Sequence, residues 1–361
     1  MRRFLAEIKR RLRLALTFLL FHTGALRLLS PLVNRFTLVD SPVSTRFTRP
    51  RRRRSNSFQM LLYHRVNDAE DPFLPATPTA LFRKQMEYLA HSSAVCSLDD
   101  AVEAMLQDAL PDNAVVITFD DGYRDNYLHA YPILAGLGLT ATIFLTTGCI
   151  GSRRILWHDR VFRAFSNTTV TSLEGFGPRP TTYSLGTPPE RRRTRAALLQ
   201  ILKGLTEENR SLWIDRLIER LAVEDPDEVP DLMMNWNEAR EMHRAGISFG
   251  SHTESHPILS TLPLQRAQQE IATSKTVIEK ELGVPITTFA YPNGQRDDFT
   301  DAIKDLVRQA GYRYAATTIF GTNSRPDTGA HPDLMELKRD VVWAKTPHEF
   351  AARMTFYKFA S

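Results

Sequence analysis

Positions 114–122 of the chain read Ala-Val-Val-Ile-Thr-Phe-Asp-Asp-Gly. The first six residues are apolar and mostly β-branched or aromatic, which predicts a short buried strand. The carboxylates of Asp120 and Asp121 follow where that strand ends, and Gly122 supplies a turn. An Asp-Asp-Gly turn is usually only a connection, so its chemical meaning depends on what else the fold brings to the same edge.

A second polar run occupies positions 251–257 and reads Ser-His-Thr-Glu-Ser-His-Pro. It also follows a strand-like stretch, Ile247–Gly250. Parallel α/β folds place their chemistry at the carboxyl ends of their strands, so the two runs are expected to meet. Imidazoles four residues apart lie on one face of a helical turn, so His252 and His256 are expected to point at one ion.

These four side chains supply a complete ligand set for a catalytic divalent metal and one further carboxylate, because such a site keeps about three protein ligands and one open position. The predicted ligands are Asp121, His252 and His256. Asp120, its neighbour on an extended strand, points elsewhere and is predicted to take the proton from the attacking water. The ion would lower the pKa of that water and polarise a carbonyl. Zinc is the default ion, although cobalt, nickel, manganese and iron accept similar ligands.

At these residues the chain resembles the NodB-type polysaccharide deacetylases, carbohydrate esterase family four, over about residues 59–342. The first two family motifs match Thr118–Gly122 and His252–His256. Leu61–Val66 resembles the opening strand of a branch associated with bacterial exopolysaccharides, and Phe289–Gly294 stands where the family has its third motif. The resemblance implies an α/β fold, a NodB-like distorted (β/α) barrel, with the same base and metal ligands.

The resemblance also implies a reaction. The expected enzyme is a metal-dependent carbohydrate N-deacetylase that hydrolyses the linear amide C–N bond of N-acetylated sugars in a polysaccharide or glycan precursor. The third motif lacks the arginine that many members place against the base. Its Tyr291 backbone N–H is expected to help hold the oxyanion, which requires a fixed donor. The late strand Leu337–Val342 carries no histidine, so the general acid stays unassigned.

Two alternatives remain open from the sequence. One is a deacylase of a lipid-linked sugar at the cytoplasmic face of a membrane. The other is a non-catalytic glycan-binding protein with the same fold, which the missing late histidine and third-motif arginine would explain.

Further residues are candidates for substrate contact. His64 ends the first predicted strand, Trp236 offers a ring that can stack on a sugar, and Asn323 follows a late strand. Each has a structural alternative: a satisfied histidine, a buried indole and a turn residue. His158 and Asp159 are candidates for substrate contact or for the missing acid. The alternative is that Trp157, just before them, begins the segment as a packed aromatic anchor.

The chain of 361 residues divides into two predicted parts. Residues 1–56 form a basic amphipathic arm and linker, and residues 57–361 form the deacetylase domain. Strand–helix alternation indicates a parallel sheet. It is interrupted at about residues 151–235, which predicts a helical insertion over the mouth of the barrel.

Further elements are predicted within the domain. Apolar residues at helical spacing predict a helix over Thr79–Ser92, and a second helix is predicted over Leu98–Leu110. In the insertion, Gly175–Pro189 is rich in Gly, Pro and Thr, and Arg191–Leu221 is predicted to be helical. Asn235 is predicted to cap the helix that follows.

Charge is unevenly distributed along the chain. Residues 1–54 contain 14 Lys and Arg against 2 Asp and Glu, a net charge of +12, and the remainder carries −7. The domain is therefore not expected to bind nucleic acid. The arm is expected to lie on an anionic membrane surface, with a membrane anchor or a docking arm as alternatives. The predicted location is the cytoplasmic side of the inner membrane, with the cytoplasm as second choice.

Overall fold

A curled parallel sheet occupies the centre of the protein, whose computed structural model describes residues 56–71, 73–177, 181–225, 228–326 and 331–356. The strands are β1 (Ser57–Tyr63), β2 (Ala94–Val95), β3 (Ala114–Phe119), β4 (Thr142–Leu145), β5 (Ser172–Phe176), β6 (Thr181–Ser184), β7 (Ser248–Ser251), β8 (Thr288–Ala290), β9 (Tyr314–Ala316), β10 (Asn323–Ser324) and β11 (Asp340–Val341).

Helices surround this sheet. They are α1 (Thr79–Ser92), α2 (Leu98–Leu106), α3 (Tyr131–Gly136), α4 (Trp157–Asn167), α5 (Pro188–Lys203), α6 (Glu207–Arg220), α7 (Trp236–Arg244), α8 (Leu264–Leu282), α9 (Asp301–Gln309) and α10 (Pro347–Phe356). A π-helical turn, Asn126–Ala130, leads into α3, and a short 3₁₀ turn spans Leu259–Thr261.

The order of the strands makes the sheet a barrel. Strands β1, β3, β4, β7, β8 and β9 are parallel neighbours in that sequence. β11 pairs in parallel with β1, and Leu337 bridges to Ala316 of β9. The stretch Leu337–Val341 therefore connects the last strand to the first, giving the distorted (β/α) barrel that the sequence predicts.

The buried face of β3 explains why an apolar run carries the first motif. All six of its residues are buried, because helices cover one side of a parallel sheet and the barrel interior fills the other. Phe119 packs at 5.5 Å from the Tyr63 ring and 5.9 Å from the Phe82 ring, measured between centroids. This packing fixes the strand end from which the two carboxylates leave.

Most of the predicted helices and strands agree with the structure. α1 has the predicted bounds Thr79–Ser92. α2 ends at Leu106 rather than Leu110 because Asp108 adopts a left-handed backbone conformation, with φ of 54°. Asn235 is the predicted N-cap of α7: its side chain accepts from Asn237 N and Glu238 N.

The predicted insertion lies between β4 and β7. The long helical stretch predicted there is two helices, α5 and α6, and the Gly- and Thr-rich stretch before them includes an unpredicted hairpin of β5 and β6. The apolar side chains of the insertion form a cluster separate from the main core, and Phe73 also belongs to this separate cluster. The proposed extents of domain and insertion stay predictions.

The predicted arm lies outside the described residues except for Asn56, its last residue. Among the helices that the structure describes, none combines the length and the apolar character that crossing a bilayer requires.

Candidate metal centre

The two adjacent carboxylates separate because the backbone turns sharply after β3. Asp120 N–H donates to Tyr63 O at 3.1 Å, which continues the sheet by one residue. Asp121 and Gly122 then adopt positive φ values of 76° and 86°, a region open to Gly and tolerated by Asp. The turn sends the two carboxylates in different directions.

His252 and His256 converge through a loop, which corrects the prediction of a helical turn. β7 ends at Ser251, and Thr253 and His256 both have positive φ, 67° and 60°. His256 N–H donates to the Thr253 hydroxyl at 3.0 Å. A left-handed residue after His252 and another at His256 therefore bring the two imidazoles together without helical backbone.

A buried carboxylate on α8 holds this loop. Glu270 accepts hydrogen bonds from the backbone N–H groups of Glu254 (3.0 Å) and Ser255 (2.8 Å) and from the Ser255 hydroxyl. On the other side, Gly148 N–H donates to Glu254 O at 2.7 Å, where an added Cβ would lie 2.7 Å from the same oxygen. The loop is thus clamped between α8 and the segment after β4.

The ligand atoms of Asp121, His252 and His256 all lie within 4.8 Å of one another. Asp121 Oδ1 is 3.7 Å from His252 Nε2 and 3.4 Å from His256 Nε2. Ligand atoms about 2.1 Å from a tetrahedral ion are about 3.4 Å apart. The three side chains therefore fit a divalent metal of zinc-like size.

The electrostatics of Asp121 also favour a cation. Both carboxylate oxygens are buried without a hydrogen-bond partner among the described residues. Burial, with repulsion from Asp120 and Asp159, raises the pKa of Asp121 well above its usual value. A bound cation would remove that penalty, because an opposite charge stabilises the ionised carboxylate.

The two histidines are prepared as neutral ligands. Burial lowers the pKa of His252 to about 4 and holds the pKa of His256 well below its usual value. His252 Nδ1 lies 2.7 Å from Ala290 O, so Nδ1 carries the proton. The lone pair of Nε2 then faces the carboxylate of Asp121. Carbonyl partners of this kind fix the tautomer of metal-ligating histidines.

A buried arginine grips the other carboxylate. Arg339 Nη1 and Nη2 donate to Asp120 Oδ1 and Oδ2 at 2.7 and 2.8 Å, and Nε donates to Thr317 O. Burial alone would raise the pKa of Asp120, but Arg339 outweighs it, with a contribution from His252, and lowers that pKa below its usual value. Asp120 is therefore ionised at neutral pH.

This arginine was not predicted from the sequence. The third motif lacks an arginine near the base, but Arg339 from the late strand occupies a place against Asp120. The available signal was a charged residue within the short strand-like run Leu337–Val342, whose guanidinium is fully buried. Pairing of β11 with β1, a contact between distant parts of the chain, brings it there.

The predicted role of Tyr291 needs correction. Its backbone N–H donates to Ala316 O at 3.0 Å, so the sheet already uses the donor that was assigned to the oxyanion. The ring is fully buried and stacks on Phe299 at 4.2 Å between centroids. The third motif instead contributes the Ala290 carbonyl that orients His252.

Two further histidines lie at the centre. His64 is exposed at the end of β1 and lies within electrostatic reach of Asp120 and Arg339. His158, from the first turn of α4, has Nε2 at 4.0 Å from Asp121 Oδ2 and its ring 5.1 Å from that of His256. The predicted candidates His64 and His158 are therefore both brought to the metal centre.

The structure treats Trp236 and Asn323 differently. The Trp236 indole is half-buried against the main core and beside Gly151, in agreement with the packing alternative. Asn323 is wrong as a substrate contact: its amide bonds to Lys338 N and O. It also pairs with Phe58 at the start of β1, about 16 Å from that strand's carboxyl end.

The chain is similar to known proteins in family, sequence and fold. The family model for polysaccharide deacetylases matches residues 107–315. YxkH of Bacillus subtilis (strain 168), placed by its name among the polysaccharide deacetylases, is 25% identical over 269 residues. That match covers 74% of this chain and 66% of YxkH, just under two thirds of the relative's length.

Solved structures share the fold. The deacetylase PplD of Streptococcus pyogenes, in complex with acetate, is 20% identical and has a TM-score of 0.55, covering 82% of this chain and 98% of that one. IcaB from Ammonifex degensii is 18% identical with a TM-score of 0.54, covering 84% and 98%. At these identities the similarity establishes the barrel alone.

Replacing Glu270 with Gln should weaken metal binding. The change removes a charged acceptor from the loop that carries His256, and loss of such supporting groups costs about 10- to 100-fold in metal affinity. Competition with a chelator measures the zinc affinity of the purified protein. Glu279→Gln is the matched control, since Glu279 is also on α8 and accepts from a backbone N–H, that of Ile286 at 2.9 Å. Equal zinc affinities in the two variants would contradict the assigned role.

Replacing Arg339 with Gln should move the acid limb of activity to higher pH. Without the guanidinium, burial dominates and the pKa of Asp120 rises, so the carboxylate becomes protonated, and inactive as a base, at higher pH. An uncompensated buried charge should also destabilise the fold by about 3–5 kcal/mol. The measurements are the pH profile of kcat/KM and urea unfolding.

Arg339→Lys keeps the charge but loses the two-pronged contact, so its profile should lie between those of the wild type and Arg339→Gln. Arg353→Lys is the control, because Arg353 makes a similar pair with Asp340 away from the metal centre. An unchanged acid limb in Arg339→Gln would show that Asp120 does not govern it.

Proposed function

The chain belongs to the polysaccharide deacetylase family, and we propose that it hydrolyses the N-acetyl amide of an amino sugar in a glycan with the help of a divalent metal ion, zinc by default. The observation that carries the proposal is that the two adjacent carboxylates have different surroundings. Asp120 is held ionised by Arg339, whereas Asp121 has no such partner in the described part of the chain and faces two neutral imidazoles.

The metal would be held by Asp121, His252 and His256. When bound, it would lower the pKa of a water molecule and polarise the substrate carbonyl. The residues around it fix the three ligands: Ala290 O sets the His252 tautomer, and Glu270 holds the loop that carries His256.

Asp120 is the proton carrier in this proposal. It accepts a proton from the attacking water as the new C–O bond forms, and it returns that proton to the nitrogen as the amide C–N bond breaks, yielding acetic acid and a free amine; the acetic acid then ionises to acetate. Because its pKa is lowered, protonated Asp120 is a stronger acid than an ordinary carboxyl group, which favours the second transfer. The late histidine that the family pattern implies is then not required.

Two variants of the full-length protein test this proposal. Asp121→Ala should lose both bound metal and acetate release from N-acetylglucosamine oligomers. Asp120→Asn should keep the metal and the glycan but lose about 10²- to 10⁴-fold in turnover. Metal analysis, acetate release and glycan binding are the measurements. Asp112→Asn, at an exposed position before β3, serves as the control.

Each outcome has a distinct meaning. Glycan binding without acetate release in the wild type would favour the non-catalytic alternative. Bound metal without release from soluble oligomers would direct the search to lipid-linked sugars. Absence of metal after reconstitution would overturn the proposal.

We further propose that residues 1–54 hold the enzyme on an anionic membrane surface at the cytoplasmic side of the inner membrane. The support is the net charge of +12 in this segment, because each Lys or Arg near such a surface contributes about 1 kcal/mol.

Deleting residues 1–54 should abolish co-sedimentation with vesicles that contain an anionic phospholipid. Binding of the full chain should weaken as salt rises, since screening shortens the reach of the charges. Vesicles of neutral phosphatidylcholine are the control. Equal binding to neutral and anionic vesicles would contradict an electrostatic contact. Loss of activity on a lipid-linked sugar, but not on a soluble one, would support a lipid-linked substrate.

A further inference from the structure

Aromatic and imidazole rings connect the metal centre to the insertion. The His256 ring lies 5.1 Å from that of His158, and His158 lies 5.6 Å from the Trp157 ring. The guanidinium carbon of Arg210, on α6, is 5.2 Å from the centre of the Trp157 ring. Three ring contacts thus lead from a predicted metal ligand to a cation of the insertion.

Arg210 is a buried cation that forms no ion pair within the described part of the chain, although Glu207 and Glu208 on the same helix lie within electrostatic reach. Its relative exposure is 3%, and its Nη1 has no hydrogen-bond acceptor among the described residues. Burying a charge without a partner is costly. The other fully enclosed arginine of the centre, Arg339, shows the usual solution, with Asp120 accepting from both of its terminal nitrogens.

A second buried hydrogen-bond donor lies beside Arg210. Trp157 Nε1 is buried and, among the residues described, also has no acceptor. Indole N–H groups usually find a partner when buried. Two neighbouring donors that both lack an acceptor indicate a place where an oxygen-rich group binds.

Lys203 adds a second positive charge. It ends α5, is half-buried, and forms no ion pair within the described residues. The helix α5 packs against α4, which begins at Trp157. The carboxylate of Asp298, in the loop after β8, lies within electrostatic reach of Lys203, which places the lysine between the insertion and the barrel.

We propose that Arg210, Lys203 and the Trp157 indole N–H bind an anionic group of the substrate beside the metal centre. The inference rests on the proposed function, because the anion is taken to belong to the molecule whose amide is hydrolysed. The shared chemistry is an oxyanion with several acceptor oxygens, which suits a guanidinium.

Such an oxyanion has two sources in a glycan or its precursor. One is the carboxylate of an acidic sugar next to the N-acetylated residue, and the other is the phosphate of a sugar phosphate or lipid-linked sugar. Both would place an acceptor near Arg210 and Trp157 while the amide faces Asp121. The site therefore selects acidic substrates over neutral ones of equal length.

Anion binding to metal-stripped, full-length protein tests the site without turnover. The probes are glucuronic acid and inorganic phosphate, and calorimetry measures their binding. Arg210→Gln should weaken binding of the preferred probe by about 10- to 100-fold, the range for hydrogen bonds to charged groups, and Arg210→Lys should restore part of it. Arg216→Gln is the matched control, since Arg216 lies on the same helix over Trp213, at 5.7 Å, but is exposed.

Turnover then measures selectivity. The wild-type enzyme should prefer an acidic amino-sugar substrate to a neutral N-acetylglucosamine oligomer, and Arg210→Gln should reduce the ratio of the two kcat/KM values by at least about 10-fold. A carboxylate-bearing oligomer and N-acetylglucosamine 1-phosphate distinguish the two sources. Should Arg210→Gln not fold, Arg210→Lys and Lys203→Gln provide the same comparison.

The outcomes separate this inference from the proposed function. Anion binding that is equal in Arg210→Gln and the wild type, or absent from both, would overturn the anion site even if turnover is normal. An unchanged selectivity ratio would do the same. Binding that depends on Arg210 in a protein that releases no acetate would keep the anion site and overturn the proposed reaction.

Discussion

The ion pair between Asp120 and Arg339 is the interaction on which the centre depends. Two adjacent carboxylates cannot both be buried and ionised without compensation, since desolvation and mutual repulsion each oppose the charge. Arg339 neutralises one of them with two hydrogen bonds. Asp121 is left without such a partner among the described residues and faces two neutral imidazoles. The pair therefore distinguishes the carboxylate that is held ionised from the one that requires a cation, a distinction that two aspartates in a row do not make by themselves.

The segment that closes the barrel also brings Arg339 to Asp120 in the metal centre. Arg339 reaches Asp120 because Leu337–Val341 lies between β9 and β1, and the arginine also donates to Thr317 O, just past β9. A barrel left open at this seam would separate the base from its guanidinium. The stability of the late strand is thus coupled to the protonation state of Asp120, although that strand supplies no metal ligand.

Local sequence predicted what local physics controls. The apolar run before Asp120, the helix Thr79–Ser92 and the Asn235 cap depend on neighbours in the chain, and all are present. The family is confirmed by the family model. Arg339 escaped prediction because its partner is 219 residues away, and Tyr291 N–H failed because strand pairing with β9 uses it. The loop through Thr253 and His256 depends on Glu270, on a later helix. Contacts between distant residues, not propensities, decided each of these.

The charges around the centre explain why the insertion matters for substrate choice. Asp120 and Arg339 cancel, and a divalent ion on Asp121 would offset the charges of Asp121 and of its buried neighbour Asp159. Arg210 and Lys203 then add positive charge from the side of the insertion, while the domain as a whole is acidic, with residues 55–361 carrying −7. A neutral acetylated sugar gains little from such a field, whereas an acidic one is drawn in and oriented by it. A buried Arg210 without an ion pair among the described residues is costly for a fold that needs only to bind neutral sugars, and the cost is offset when the substrate supplies negative charge.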